Sequence, residues 1–153
     1  MLLSRKKWPI FTLTIALSLI VDQASKALAR SNLDPQKSID IVKGVLSLNL
    51  VKNTGAAFGL LQGQLTILQI IAVALVGMIL FYILFYRPTS FIIRVALGLI
   101  VAGSVGNLID RALFKQVTDF IDLQVWPVFN LADSSIVAGA SFLMLKSLFK
   151  WKN

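Results

Sequence analysis

The 153-residue chain has no cysteine, no histidine and no glutamate. The missing cysteine excludes disulfides, thiolate metal sites and cysteine nucleophiles. The missing histidine removes the commonest general base and the commonest zinc ligand. Charge of either sign is scarce: charged residues are 14% of the chain, against 57% apolar. All seven acids are aspartates, and fifteen lysines and arginines give a net charge of +8. Soluble domains are nearer half apolar, so this excess, with a mean hydropathy of +0.81, points to a membrane protein. The basic residues form no patch with interleaved aromatics of the kind that nucleic acid needs. They gather instead at the ends of apolar runs, where membrane topology uses them.

Four apolar segments, at about 8–28, 65–86, 91–113 and 130–149, approach the length that crosses a membrane. Roughly 20 helical residues span ~30 Å of hydrocarbon. The second carries no charge; the others carry Asp22 and Lys26, Asp110 and Arg111, and Asp133 near one end. Arg5, Lys6, Lys7, Arg87, Arg94, Lys146, Lys150 and Lys152 fall on one side of these spans, with no acid among them. Positive residues stay inside, so both termini are expected in the cytoplasm. The charged span ends then lie near the outer face, with extracytoplasmic segments at about 29–64 and 114–129. A cleavable secretory signal is the rival for the first span, with "ALA" at 27–29 as its cleavage site. Asp22 and Lys26 would sit awkwardly between its apolar core and that site.

Within the first outer segment, Ile39 and Ile41, then Leu46, Leu48 and Leu50, alternate with polar residues around Gly44. That is the pattern of two short strands and a turn. "NTGAAFG" (53–59) is a run of small residues that permits close backbone approach. The expected fold is an all-α membrane protein, four transmembrane helices in a single domain over 1–153. A small extracytoplasmic sheet or flap lies on the outer face.

Few chemistries remain open. Ser25 and Lys26 are helix neighbours that do not face each other, and "GASF" (139–142) has no histidine to serve its serine. Aspartates alone can hold a hard cation, but no loop has the ligand spacing, so neither metal nor cofactor is expected. Paired carboxylates are left. Two aspartates ~3 Å apart share a proton, one accepting from water while the other donates to a scissile carbonyl. Asp133 is the best single candidate. It lies three residues after Asn130 in "FNLAD", where an N-cap and a first-turn acid are also favoured structurally. A helix N-terminus biases such an acid toward the base role. Its partner is open between Asp119 and Asp122, which an extended "TDFID" points to opposite faces. Asn107, Asp110 and Arg111 share one helix face, as an inward ion pair or as a substrate clamp. Asp22 and Lys26, at i and i+4, read as scaffold. Gly103 and Gly106 are spaced for close helix contact.

Five motifs in order resemble the lipoprotein signal peptidases, also called signal peptidase II. They are "DQASK" (22–26), "NTGAAFG" (53–59), "AGSVGNLIDR" (102–111), "VTDFIDL" (117–123) and "FNLADSSI" (129–136). One departure is Ala102, where that family commonly has glycine. The resemblance implies a polytopic aspartic endopeptidase of the bacterial inner membrane. It cuts prolipoproteins before a diacylglyceryl-modified lipobox cysteine near the extracytoplasmic face, and it is inhibited by globomycin. It further implies Asp119 and Asp133 as the catalytic pair. Asn53, Gly55, Asn107, Arg111 and Asn130 would line the substrate cleft, with Asp22, Lys26 and Asp110 as structural residues beside it. The alternative is a small ion- or proton-coupled transporter using boundary aspartates.

Overall fold

A computed structural model describes residues 8–55 and 60–149. Residues 56–59 of the small-residue motif, and Arg5, Lys6, Lys7, Lys150 and Lys152, lie outside the described residues. Seven elements follow in chain order: α1 (Trp8–Asn32), β1 (Ile39–Val42), β2 (Leu46–Asn53), α2 (Leu65–Tyr86), α3 (Phe91–Phe114), β3 (Val117–Asp122) and α4 (Leu131–Leu148). All four helices are long and apolar enough to cross a membrane.

α1 runs four residues beyond the expected end of its span, because nothing breaks it before Pro35. Its last carbonyls are taken up locally: Asn32 Nδ2 and Ser31 Oγ both donate to the Leu28 carbonyl, at 2.9 and 3.1 Å. Asp22 and Lys26 therefore lie inside the helix rather than at its end. α2 ends at Arg87, whose left-handed backbone (φ +45°) closes the helix with an N–H bond to the Ile83 carbonyl. The Arg94 guanidinium then binds the Pro88 carbonyl and fixes the short turn into α3.

α3 is central and packs against α1, α2 and α4. It approaches α4 closely at Gly103 and α1 closely at Gly106, where neither glycine presents a side chain. A Cβ at Gly103 would meet the Ala132 carbonyl oxygen, and one at Gly106 would meet Asp22 Oδ2. At the other end of the bundle, Phe11, Ile79, Ile83, Leu97, Ile100 and Val101 form an apolar core. The polar residues cluster at the end where the sheet sits.

That sheet has the order β1-β2-β3, antiparallel throughout. Gly44 (φ +75°) makes the expected turn between β1 and β2. β3 adds a third strand to the two expected in the first outer segment, with Val51 opposite Asp119 and Asn53 opposite Val117. β1 is exposed along its length, whereas the first four residues of β3 are buried. The chain after β3 turns back on it: the Phe129 N–H donates to the Ile121 carbonyl at 3.0 Å, and Phe129 returns its own carbonyl to the Ile121 N–H at 2.8 Å. This return delivers Asn130 and the head of α4 to the side of Asp119.

Candidate active site

Asp119 and Asp133 line the same cleft of about 480 Å³, together with Asn53, Gly55, Asn107 and Arg111. Its remaining wall is apolar, from Val51, Val117, Ile136 and Val137, with Trp126 to Phe129 closing one side. A cleft with mostly apolar walls and a few convergent polar groups suits an apolar substrate that must be held in one register.

Each carboxylate reaches the cleft for a local reason. Asp119 lies in β3, and the sheet register puts Asn53 diagonally across from it on the same face. Asn53 Nδ2 donates to Asp119 Oδ2 at 2.8 Å. Asp133 occupies the first turn of α4 in a capping box. Asn130 Oδ1 accepts from the Asp133 N–H at 3.0 Å, and Asp133 Oδ2 accepts from the Asn130 N–H at 3.3 Å. The same Asn130 turns its Nδ2 to Asp119 Oδ1 at 2.6 Å. One side chain thus caps the helix and ties the two acids together. Asp122 faces elsewhere; its Oδ1 accepts from the Gln124 N–H in the following turn.

α3 supplies the third side. Asn107 Nδ2 donates to Asp133 Oδ1 at 2.8 Å, and Arg111 Nη2 donates to the Gly55 carbonyl at 3.1 Å. Gly55 is itself held by its N–H bond to Asn53 Oδ1 at 2.8 Å. Arg111 and Asn53 together fix the backbone where the small-residue motif leaves the sheet.

Behind the cleft, Asp22 and Lys26 form more than the surface ion pair that their spacing suggests. Lys26 is fully buried, 3.1 Å from Asp22 and 3.6 Å from Asp110, and donates to Asn107 Oδ1 at 2.9 Å. Asp22 Oδ1 accepts the Ala132 N–H at 2.8 Å and so anchors the start of α4. Asp110 Oδ2 accepts the Thr118 N–H at 2.9 Å, one residue before Asp119.

Burial dominates the electrostatics of Asp119, which is 1% exposed, and pushes its carboxyl up to about 6. The Asn53 and Asn130 hydrogen bonds and the Lys26 charge oppose that rise, while the Asp133 charge adds to it. Two acids in one cleft, one of them reluctant to ionise, is the arrangement that lets a proton be shared.

A family described as signal peptidase (SPase) II matches residues 14–149, which include every side chain of this cleft. The chain belongs to the signal peptidase II family. As a signal peptidase II it is a protease that cleaves signal peptides from prolipoproteins, and this kinship lends no support to the transporter alternative. The lipoprotein signal peptidase of Halothermothrix orenii is 40% identical over 134 residues, covering 87% of this chain and 91% of that protein. That of Moorella thermoacetica is 41% identical over 133 residues, covering 87% and 89%. A solved structure described as a bacterial membrane enzyme, determined by the in meso method at 2.3 Å resolution, superposes with a TM-score of 0.85 at 30% identity. The match covers 90% of this chain and 87% of that one. The signal peptidase II is accordingly a multi-pass membrane protein.

Three residues around the cleft escaped the sequence reading. Arg30 donates to Thr118 Oγ1 at 3.0 Å and lies 3.6 Å from Asp110. Thr118 accepts that bond at its hydroxyl and donates its own N–H to Asp110. Gln23 bridges Asp22 and the Gly106 carbonyl, at 3.0 and 3.1 Å. Arg30 and Gln23 lie one helical turn from Lys26, and that spacing was the available signal.

Proposed function

We propose that Asp119 and Asp133 are the catalytic dyad of this peptidase, and that the bond cut is the one before a diacylglyceryl-modified cysteine. The observation that carries this reading is the Asn130 side chain, which caps the helix bearing Asp133 and bonds Asp119 at 2.6 Å. Asp133, at the head of α4, accepts a proton from the attacking water. Asp119, whose ionisation burial opposes, donates its proton to the scissile carbonyl oxygen. As the tetrahedral intermediate collapses, Asp133 passes the proton taken from water to the leaving amine, and Asp119 takes its own proton back from the hydroxyl as the carbonyl re-forms. No metal and no covalent intermediate enters this scheme.

Asn53, Gly55, Asn107 and Arg111 hold the substrate backbone, whereas Asn130, expected to line the cleft, is fully buried beneath it and holds the acids instead. The apolar wall takes the small side chains and lipid of the substrate. The extracytoplasmic segment around Asn53 covers the bound substrate. Asp22, Lys26 and Asp110 support the site from behind. The basic residues place both termini in the cytoplasm of a bacterial inner membrane, so the sheet and cleft face outward. The scissile bond sits at that depth because its own lipid and the apolar signal helix hold it there. Globomycin-type inhibitors occupy the same cleft.

The test is cleavage of a diacylglyceryl-modified precursor by the purified protein in lipid, with and without globomycin. Signal peptide release that globomycin blocks is the expected result. Asp119→Asn and Asp133→Asn should each insert and fold while losing about 10²–10⁴-fold in rate. Native processing by either variant refutes the dyad.

A further inference from the structure

We propose that Lys26 is a positioning residue for the dyad: its buried ammonium locks the Asn107 amide in one orientation, so that this amide presents N–H and never C=O to Asp133. Lys26 can hold this role only if Asp119 and Asp133 are the dyad proposed above.

An ammonium has three donors and no acceptor. Buried completely, Lys26 directs them at Asp22 Oδ2, Asn107 Oδ1 and Asp110 Oδ2, at 3.1, 2.9 and 3.6 Å. A half-turn of the Asn107 amide would set its NH2 against this ammonium and its oxygen against Asp133. Donor would then face donor at one end and acceptor would face acceptor at the other. Both present contacts, 2.9 Å to Lys26 and 2.8 Å to Asp133, would be lost together. Buried polar groups left unpaired in this way are costly.

The orientation propagates. Asn107 Oδ1 also receives Asn130 Nδ2 at 3.3 Å, and that same nitrogen donates to Asp119 Oδ1. With Lys26 in place, the Asn107 and Asn130 side-chain amides turn their nitrogens toward the acids. Lys26 does not line the cleft, so it acts on the chemistry through Asn107. Burying an ammonium is costly unless its donors are met. Asp22 meets only one of the three, so a pair with Asp22 alone does not account for this lysine.

The charge of Lys26 also acts on Asp119. The charged groups around it are Asp22 and Arg30 from α1, Asp110 and Arg111 from α3, Asp119 from β3 and Asp133 from α4; α2 brings none. Removing the fully buried Lys26 ammonium makes Asp119 harder to ionise.

The experiment compares Lys26→Met with Lys26→Arg on a diacylglyceryl-modified precursor. Lys26→Met should lower kcat by about 10²-fold, the cost of small misplacements in a catalytic geometry, and leave KM within about threefold. The basic limb of its rate profile, which follows Asp119, should move up by roughly one pH unit. Lys26→Arg, which keeps cation and donors, should recover at least about tenfold of the loss and return the limb. The double variant Asp22→Asn/Lys26→Met, with one buried anion removed alongside the cation, should regain thermal stability and keep the kcat loss. In the parent protein, the Asn107 side-chain ¹⁵NH2 resonance should follow the titration of the dyad. A Lys26→Met enzyme with native kcat and native pH profile overturns the proposal. So does an Asn107 amide resonance that ignores that titration, whatever the variants do. Cleavage retained by Asp133→Asn would instead overturn the dyad, whereas an inactive Asp133→Asn beside a fully active Lys26→Met overturns only the role of Lys26.

Discussion

Asn130 donates its side-chain amide to Asp119 at 2.6 Å across eleven residues of chain, while its oxygen caps the helix that carries Asp133. Capping and site-building are separable, because serine caps a helix about as well as asparagine but cannot reach Asp119. Asn130→Ser should therefore lose about 10²-fold in kcat, since a misoriented catalytic group is costly. Asn130→Ala should lose as much activity and a further ~1 kcal/mol of stability. Steady-state rates and thermal unfolding of the two variants side by side check this. A serine variant with native kcat would show that the contact with Asp119 is idle.

The carboxyl of Asp119, raised to about 6 chiefly by burial, sets a pH dependence. If Asp119 donates the proton, kcat/KM of the free enzyme should fall as pH rises through about 6. The Asn53 amide is the strongest opposition to that rise. An N–H donor favours the anion, so removing it keeps the proton on Asp119 at higher pH. Asn53→Leu should therefore move the basic limb upward by roughly one unit. The same shift has a sign for stability. The folded value lies above the ordinary carboxylate value near 3.8, so ionising Asp119 opposes folding. That cost is present above about 6 and vanishes below the unfolded value. Thermal unfolding followed from pH 7.5 to 5 should show this stabilising component in the parent and lack it in Asp119→Asn.

Arg30 lies 3.0 Å from Thr118 Oγ1 and 4.5 Å above the Phe114 ring centroid, so it clips the first residues of β3 to the end of α3. Arg30→Gln should lower kcat by about threefold to tenfold through a looser β3. Hydrogen exchange of the Thr118 and Asp119 amides should quicken in that variant. Arg30→Lys keeps the charge but loses the flat stacking surface, and should fall between the two. Unchanged exchange in Arg30→Gln would mean that Asp110 alone holds the strand.

The membrane spans were legible in the sequence because apolar length is a local property. The hairpin around Gly44 was legible for the same reason, through alternation over a few residues. The capping box at Asn130 and Asp133 was legible because it needs only four consecutive residues. Residues alone left Asp119 and Asp122 open as the partner acid. The choice depends on the sheet register, which brings β2 against β3 across two intervening helices. The role of Lys26 was obscured in another way. Its i, i+4 spacing to Asp22 offered a sufficient local explanation, while its contacts with Asn107 and Asp110 are long-range. Arg30 and Thr118 were missed because their link exists only once α1, α3 and β3 are packed.

Helix contact at the glycines is open to a sharper test. A Cβ at Gly103 would strike the Ala132 carbonyl oxygen and lie 2.8 Å from Ile136 Cγ1. One at Gly106 would strike Asp22 Oδ2 and lie 3.5 Å from Ala132 Cβ. Gly77, on the exposed side of α2, has nothing within 4 Å. Overpacking typically costs about 1–3 kcal/mol, whereas Gly→Ala in an open helix gains up to about 1 kcal/mol. Gly103→Ala and Gly106→Ala should therefore unfold at lower temperature than the parent, and Gly77→Ala at the same or higher temperature. The two destabilised variants should differ in activity. Gly106→Ala displaces Asp22, which binds both Lys26 and the Ala132 N–H, so its kcat should fall beyond what the lost stability explains. Gly103→Ala pushes on the Ala132 carbonyl without touching Asp22 itself, and at temperatures where it is folded its kcat should stay closer to native. Equal rates for the two folded variants would sever Asp22 from the chemistry.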